Sequence, residues 1–255
     1  YADQVERFMP ALAAVADLHD GMIVAGGRSQ PQPGTLPFAH IAQHSDEAAV
    51  MRAFARVGHD TIAKFLFTSG SVGTPKAVIN TQRMICSNQL AKELVWPFLR
   101  KNPPVLCEWL PWSHTFGGNH DFNMVLPWGG SFYLDDGKPT PTLIDRTLRN
   151  LREVSPTIYF SVPRAYDMLV PHLRADAELR ERFFRRLQVI MYAGAALPQH
   201  LWSELEALSE ATVGARIPMV SSWGSTETSP LATDCHFQAI RAGVFGVPVP
   251  GTELK

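Results

Sequence analysis

From residue 62 onward, short apolar runs recur between longer segments with helical spacing. AKFLF (63–67), VLCEW (105–109), SFYLD (131–135), TIYFS (157–161), QVIMYA (188–193) and IPMVS (217–221) read as strands. Most lack strict alternation of apolar and polar positions, which is the pattern of strands buried on both faces. Between them, Ile144, Leu148, Leu151 and Val154 form one helical stripe, and Leu201, Leu205 and Leu208 form another. Pro198 suits the first turn of that second helix. Strands alternating with helices predict an α/β fold of mainly parallel sheets flanked by helices. Ligands in such sheets sit beyond the carboxyl ends of the strands, so chemistry is sought just after each apolar run. Upstream, GGRSQPQPG (26–34) is loop chemistry, and a helix is predicted over about 41–57. His40 and His44 stand one turn apart near Asp46 and Glu47, either as a metal pair or as part of a solvated helix face.

Composition narrows the class. The 255 residues are 45% hydrophobic and 18% charged, with 23 basic against 24 acidic side chains and a net charge of -1. No long basic run is present, which argues against a nucleic-acid or acidic-membrane partner. No apolar stretch reaches the roughly 20 residues of a membrane helix. Residues 1–16 do not resemble a signal peptide. Cys86, Cys107 and Cys235 are odd in number and far apart, which reads as reduced thiols in a cytoplasmic protein.

The densest candidate chemistry follows the first strand. Thr68, Ser69 and Ser71 offer hydroxyl donors, Gly70 and Gly73 allow close backbone approach, and Lys76 adds a positive charge. Backbone N–H groups, hydroxyls and an ammonium are the parts that grip a polyphosphate. The common nucleotide loop needs Gly-Lys-Ser/Thr together, whereas here Thr74 and Pro75 separate Gly73 from Lys76. By composition alone, a phosphate loop and a simple Ser/Gly turn both remain open.

The order of residues in FTSGSVGTPKAV (67–78) resembles the phosphate loop of the adenylate-forming superfamily, which includes acyl-CoA synthetases and adenylation domains. Val72 and Ala77 depart from that family's usual Thr and Gly. Four further segments follow in the family's order. LPWSHTFGG (110–118) resembles the segment whose histidine lies between nucleotide and acyl pockets, a role the resemblance gives to His114. YAGAALP (192–198) resembles the turn against adenine and acyl group, here Gly194, Ala195 and Ala196. SSWGSTETSP (221–230) resembles the Tyr-Gly-x-Thr-Glu motif. By that resemblance Trp223 stacks on adenine beside Gly224, Thr226 bonds the α-phosphate and Glu227 holds Mg²⁺. GVFGVPVPGTELK (243–255) resembles a following Gly/Pro segment to which no chemistry is assigned.

The resemblance covers about residues 60–255, so residues 1–60 are read as a partial N-terminal subdomain segment and 61–255 as the nucleotide- and acyl-binding core. It implies an ATP- and Mg²⁺-dependent acid–CoA ligase that makes an acyl-adenylate and passes the acyl group to coenzyme A. KAVINTQRM, LPWSHTFGGNHDFNMVLPWGG and YFSVPRAYDML look most like bacterial feruloyl-CoA synthases, which implies an aromatic, hydroxycinnamate-like acid. Trp112, Phe116, Phe122 and Trp223 are candidates both for that pocket and for the core. The family also carries a later Thr-Gly-Asp and a small C-terminal lid domain with a catalytic lysine. The chain starts at Tyr1 and stops at Lys255, so it is expected to be a fragment lacking that lid. Loss of one well-placed charged donor costs on the order of 10²–10³ in rate, so the chain alone is expected to be nearly inactive and prone to self-association.

Two other classes compete. A non-catalytic nucleotide-binding module would retain the fold, and ligases for fatty acids or amino acids would share it. An acyl hydrolase needs a Gly-x-Ser-x-Gly elbow, which is missing, although His120-Asp121 and many serines are present. A metal site across HTFGGNH (114–120) lacks a fixed ligand spacing.

Overall fold

The computed structural model describes residues 24–25, 36–43, 45–68 and 74–255. They fall into two compact units that divide after Val57. Ser69, Gly70, Ser71, Val72 and Gly73, together with His44 and the 26–34 loop, lie outside the described residues.

In the first unit, β1 (Val24–Ala25) pairs in parallel with β2 (Leu36–Pro37). Two short helices follow, α1 (Phe38–Ala42) and α2 (Glu47–Phe54), where one continuous helix was expected. Asp46 explains the break. Its side chain accepts from the Ala49 N–H at 2.8 Å and caps a fresh helix start.

The second unit is built on a five-stranded sheet. Strands β7 (Ile158–Ser161), β8 (Val189–Tyr192) and β9 (Met219–Gly224) run parallel. The sheet then turns antiparallel through β10 (Leu231–Asp234) and β11 (Val247–Pro248). The continuous apolar runs are explained by what each face meets. Tyr159, Ile190, Tyr192 and Met219 enter one core, whereas Ile158, Phe160, Val189, Met191 and Val220 enter another. The first core is closed by α5 (Ile144–Glu153), α6 (Pro163–Ala175), α7 (Ala177–Phe184) and α8 (Gln199–Val213). Both predicted helical stripes lie in it, with Val154 and Leu208 at its partly buried margin. Pro198 is the residue just before α8, not in its first turn.

The second core is covered by residues 96–125, which end in the short helix α4 (Phe122–Val125) and include Trp96, Leu106, Phe116 and Met124. Strands β5 (Val105–Glu108) and β6 (Ser131–Leu134) pair in parallel beside it. A hydrogen bond from Thr157 N to Val105 O at 2.9 Å ties β5 to the start of β7. The remaining strands depart from the sequence reading. AKFLF lies in β3 (Ile62–Thr68), which folds back antiparallel onto β4 (Lys76–Thr81) as a separate hairpin. Phe65 faces Ile79 across this hairpin and is 54% exposed, so the run is not buried on both faces. Helix α3 (Gln82–Val95) follows, capped by Thr81. No described helix is long and apolar enough to cross a membrane.

Candidate functional site

A cavity of about 1060 Å³ opens beyond the carboxyl ends of β8 and β9. Five remote stretches of chain line it. Thr68 and Lys76 come from the ends of the hairpin strands, where Thr68 Oγ1 bonds the Lys76 carbonyl at 3.4 Å. The Lys76 ammonium forms no ion pair among the described residues. His114 stands exposed at the margin, and its Nδ1 accepts from the Phe116 N–H at 3.2 Å. Gly194, Ala195 and Ala196 present the turn after β8. Trp223, Gly224, Thr226 and Glu227 form the opposite lip, with the Trp223 ring half exposed. The Glu227 carboxylate is exposed and carries no hydrogen bond among the described residues.

Local chemistry shapes that lip. Ser225 and Thr228 form a reciprocal capping box around the single turn 226–228, with Ser225 N donating to Thr228 Oγ1 at 2.8 Å. Gly224 is required because a Cβ there would stand 1.6 Å from the Pro230 carbonyl oxygen. Asn88 of α3 holds the segment from outside. Its amide donates to the carbonyls of Thr228 (3.0 Å) and Leu231 (3.1 Å) and accepts from the Leu231 N–H at 3.2 Å.

The aromatic candidates separate. Phe116 and Trp223 line the cavity, whereas Trp112 and Phe122 are not part of its lining. Those two rings pack together at 4.7 Å, and both meet Phe132 at about 6 Å. The His114–His120 metal reading gains no support, since no group of three or more metal-binding side chains occurs among the described residues.

Behind the lining lies a buried polar cluster that sequence reasoning did not assemble. The Lys92 ammonium meets Asp234 Oδ2 at 2.5 Å and sits 3.6 Å over the Trp96 ring centroid, with both charged side chains fully buried. Asp234 also accepts from Trp96 Nε1 (3.0 Å) and Ser222 Oγ (2.9 Å). Burial lowers the Lys92 pKa, and the Asp234 carboxylate opposes that shift. A second group sits on the π-helical turn 116–121, where His120 Nδ1 lies 2.5 Å from Asp121 Oδ1. Burial pushes Asp121 well up, helped by the neighbouring Glu108, and burial first of all raises Glu108 itself to about 8. The two carboxyls perturb each other, yet Asp121 Oδ2 and both Glu108 oxygens form no hydrogen bond of standard geometry. The one visible sign in the sequence was Glu108, a charged residue inside the apolar run VLCEW.

Known proteins share this fold. The chain is similar to a 3-hydroxybenzoate–CoA/4-hydroxybenzoate–CoA ligase of Thauera aromatica, 25% identical over 240 residues that make up 91% of this chain and 41% of the ligase. A malonate–CoA ligase of Arabidopsis thaliana is 25% identical over 222 residues, 77% of this chain and 33% of that protein. The solved structure of the anthranilate CoA ligase AuaEII in complex with anthranoyl-AMP superposes with a TM-score of 0.71 at 22% identity, over 96% of this chain and 45% of that one. A malonyl-CoA ligase with methylmalonyl-CoA and AMP bound gives a TM-score of 0.67 at 22% identity, over 98% of this chain and 50% of that one. The chain therefore spans well under half the length of these two curated relatives. The AMP-binding enzyme family matches residues 10–255, and the chain belongs to that family.

Proposed function

We propose that this chain is the nucleotide- and acyl-binding part of an acid–CoA ligase acting on an aromatic, hydroxycinnamate-like acid in the cytoplasm. One observation carries the reading. Thr68, Lys76, His114, the 194–196 turn and the 223–227 lip, distant in sequence, line one cavity at the strand ends. A hydroxybenzoate–CoA ligase among the relatives and the resemblance to feruloyl-CoA synthases favour an aromatic acid.

In this reading the Trp223 ring stacks on adenine, and Gly194, Ala195 and Ala196 let adenine and acyl group lie close to the backbone. Lys76 binds the outgoing phosphates, a role that the resemblance also gives to Ser69, Gly70, Ser71 and Gly73. Thr226 donates to the α-phosphate. His114 stands between the nucleotide and acyl pockets. The donors fit a magnesium–triphosphate, since Mg²⁺ takes one or two carboxylates plus phosphate oxygens and water, and Glu227 offers a carboxylate without a hydrogen bond among the described residues at the lip. When bound, that ion would offset phosphate charge. The substrate carboxylate oxygen attacks the α-phosphorus and pyrophosphate leaves. The coenzyme A thiolate then attacks the acyl carbon and AMP leaves. The protein contributes by positioning and by electrostatic stabilisation. The exposed apolar face of the β3–β4 hairpin supports self-association of the chain, which would appear as a concentration-dependent sedimentation coefficient.

The test is pyrophosphate release by the full-length protein with ferulate, coumarate, benzoate, octanoate and amino acids. Release is expected with the aromatic acids, and silence with every acid would refute the ligase. Lys76→Ala and Glu227→Gln should each weaken Mg-ATP binding by calorimetry, and unchanged affinity in both would refute the site.

A further inference from the structure

Helix α3 turns a polar face inward. Its buried residues are Asn88, Gln89, Ala91 and Lys92. A helix packs inward through apolar residues by default, and a satisfied buried polar network specifies one arrangement of its partners. Each of these three polar side chains reaches a different wall of the site. Lys92 meets Asp234 of β10. Gln89 Nε2 donates to the carbonyls of Asn119 (2.9 Å) and His120 (3.0 Å) on the π-helical turn. Asn88 reaches the lip.

Both ends of the Asn88 amide are engaged there. Nδ2 donates to the carbonyls of Thr228 and Leu231, and Oδ1 accepts from the Leu231 N–H. The two contacted residues bracket Ser229, whose backbone is left-handed at φ 65° and ψ 38°. A residue with a Cβ pays a conformational cost in that region, and it persists where the surroundings fix it. Ser229 is only 1% exposed, and its Oγ accepts from Asn119 Nδ2 at 3.2 Å.

The turn that ends at Ser229 is residues 226–228, three residues long. A helical turn of that length has no stability of its own. Its upstream end is closed by the Ser225–Thr228 capping box, and its downstream end by the left-handed Ser229. Asn88 clamps the chain on both sides of that residue. Thr226 and Glu227 therefore take their position from a helix side chain 140 residues before Thr228. Asn88 itself is not part of the cavity lining, so it acts only through the lip.

We propose that Asn88 is a positioning residue of the reaction, setting Thr226 and Glu227 in the geometry that the α-phosphate and Mg²⁺ require. This rests on the ligase reading. It goes beyond it by assigning the geometry of the lip to a side chain outside the cavity.

The experiment compares full-length wild type, Asn88→Ala and Asn88→Asp, with Leu205→Ala in the first core as a control for lost stability. Asn88→Asp keeps the shape and the acceptor for Leu231 N–H but sets a carboxylate against two carbonyls. Calorimetry measures ATP binding with Mg²⁺ and with EDTA. The gain in affinity that Mg²⁺ brings should fall by about 10- to 100-fold in both Asn88 variants, the size of effect when a residue orienting a metal ligand is removed, while affinity in EDTA changes less than about threefold. In ATP–pyrophosphate exchange with the acid that wild type activates best, kcat should fall about 10- to 100-fold and KM for the acid should stay within about threefold. Leu205→Ala should lower the urea midpoint and keep the wild-type Mg²⁺ gain. An unchanged Mg²⁺ gain and kcat in the Asn88 variants, or an equal loss in Leu205→Ala, would overturn the inference while leaving the ligase intact. Failure of both Asn88 variants to fold would overturn it too, by making the residue a support of the whole domain. Exchange with none of the acids in wild type would remove the ligase reading and this inference together.

Discussion

The Lys92–Asp234 pair offers a sharp test of how the cavity is supported. Both side chains are fully buried and meet at 2.5 Å. Breaking a buried pair by removing one partner costs about 3–5 kcal/mol, because a charge is left uncompensated. The structure predicts that the two halves are unequal. After Lys92→Met, Asp234 keeps two donors, Trp96 Nε1 at 3.0 Å and Ser222 Oγ at 2.9 Å, so the loss should lie near the low end, about 3 kcal/mol. After Asp234→Ala, the ammonium has no hydrogen-bonding partner among the described residues and keeps the Trp96 ring at 3.6 Å, so the loss should approach about 5 kcal/mol. The double variant carries no buried charge and should be less destabilised than Asp234→Ala alone. Urea unfolding followed by tryptophan fluorescence at neutral pH measures all three. pH supplies the second half of the test. Burial already sets the folded-state Lys92 pKa below its ordinary 10.5, and loss of Asp234 lowers it further. The unfolded state of Asp234→Ala then binds more protons than the folded state, so its stability should rise with pH towards about 10.5. Penalties that simply add in the double variant, or an Asp234→Ala deficit that does not shrink with pH, would refute the reasoning. The pair also bears on the site, because Asp234 lies opposite Ser222, the residue before Trp223, and clamps β9 to β10 beneath the lip.

Two further outcomes follow from the same structure. Glu108 titrates at about 8 in the folded state against an ordinary 4.5, so the folded protein holds the extra proton. Its contribution is complete below about 4.5 and is lost as pH rises through about 8, so stability should fall by a few kcal/mol across that window. Glu108→Gln should flatten the decline in urea unfolding, and an unchanged slope would refute the assignment. Gly224→Ala places a methyl group 1.6 Å from the Pro230 carbonyl oxygen, so the lip must open. A stability loss of at least about 1–3 kcal/mol and loss of Mg-ATP binding by calorimetry are expected, and a wild-type melting temperature with normal affinity would contradict the geometry.

The sequence carried the central sheet well because β7 and β8 are buried on both faces along their length and β9 over its first three residues, so the apolar runs stand out. The same rule failed at β3. AKFLF has the same apolar density, but Phe65 and Phe67 share one outward face of a hairpin, and nothing within the run reports which neighbour is missing. The rim of the site was legible because each candidate sits just past an apolar run, where an α/β sheet leaves its strand ends open. The buried cluster was not, because its members come from separate segments and Lys92, Asp121 and Asp234 each alone resemble ordinary surface charges, with Glu108 inside an apolar run the one exception. Aromatic residues were ambiguous for a related reason, since composition carries no direction. The π-helical turn at 116–121 supplies that direction. It packs so tightly that a Cβ on Gly118 would lie 2.1 Å from the Trp112 carbonyl oxygen. Phe116 and His120 face the cavity from this turn, while Phe122 just after it packs on Trp112. A histidine that reads as one more polar residue in a glycine-rich stretch is thereby carried into an apolar wall between the Phe116 and Phe160 rings.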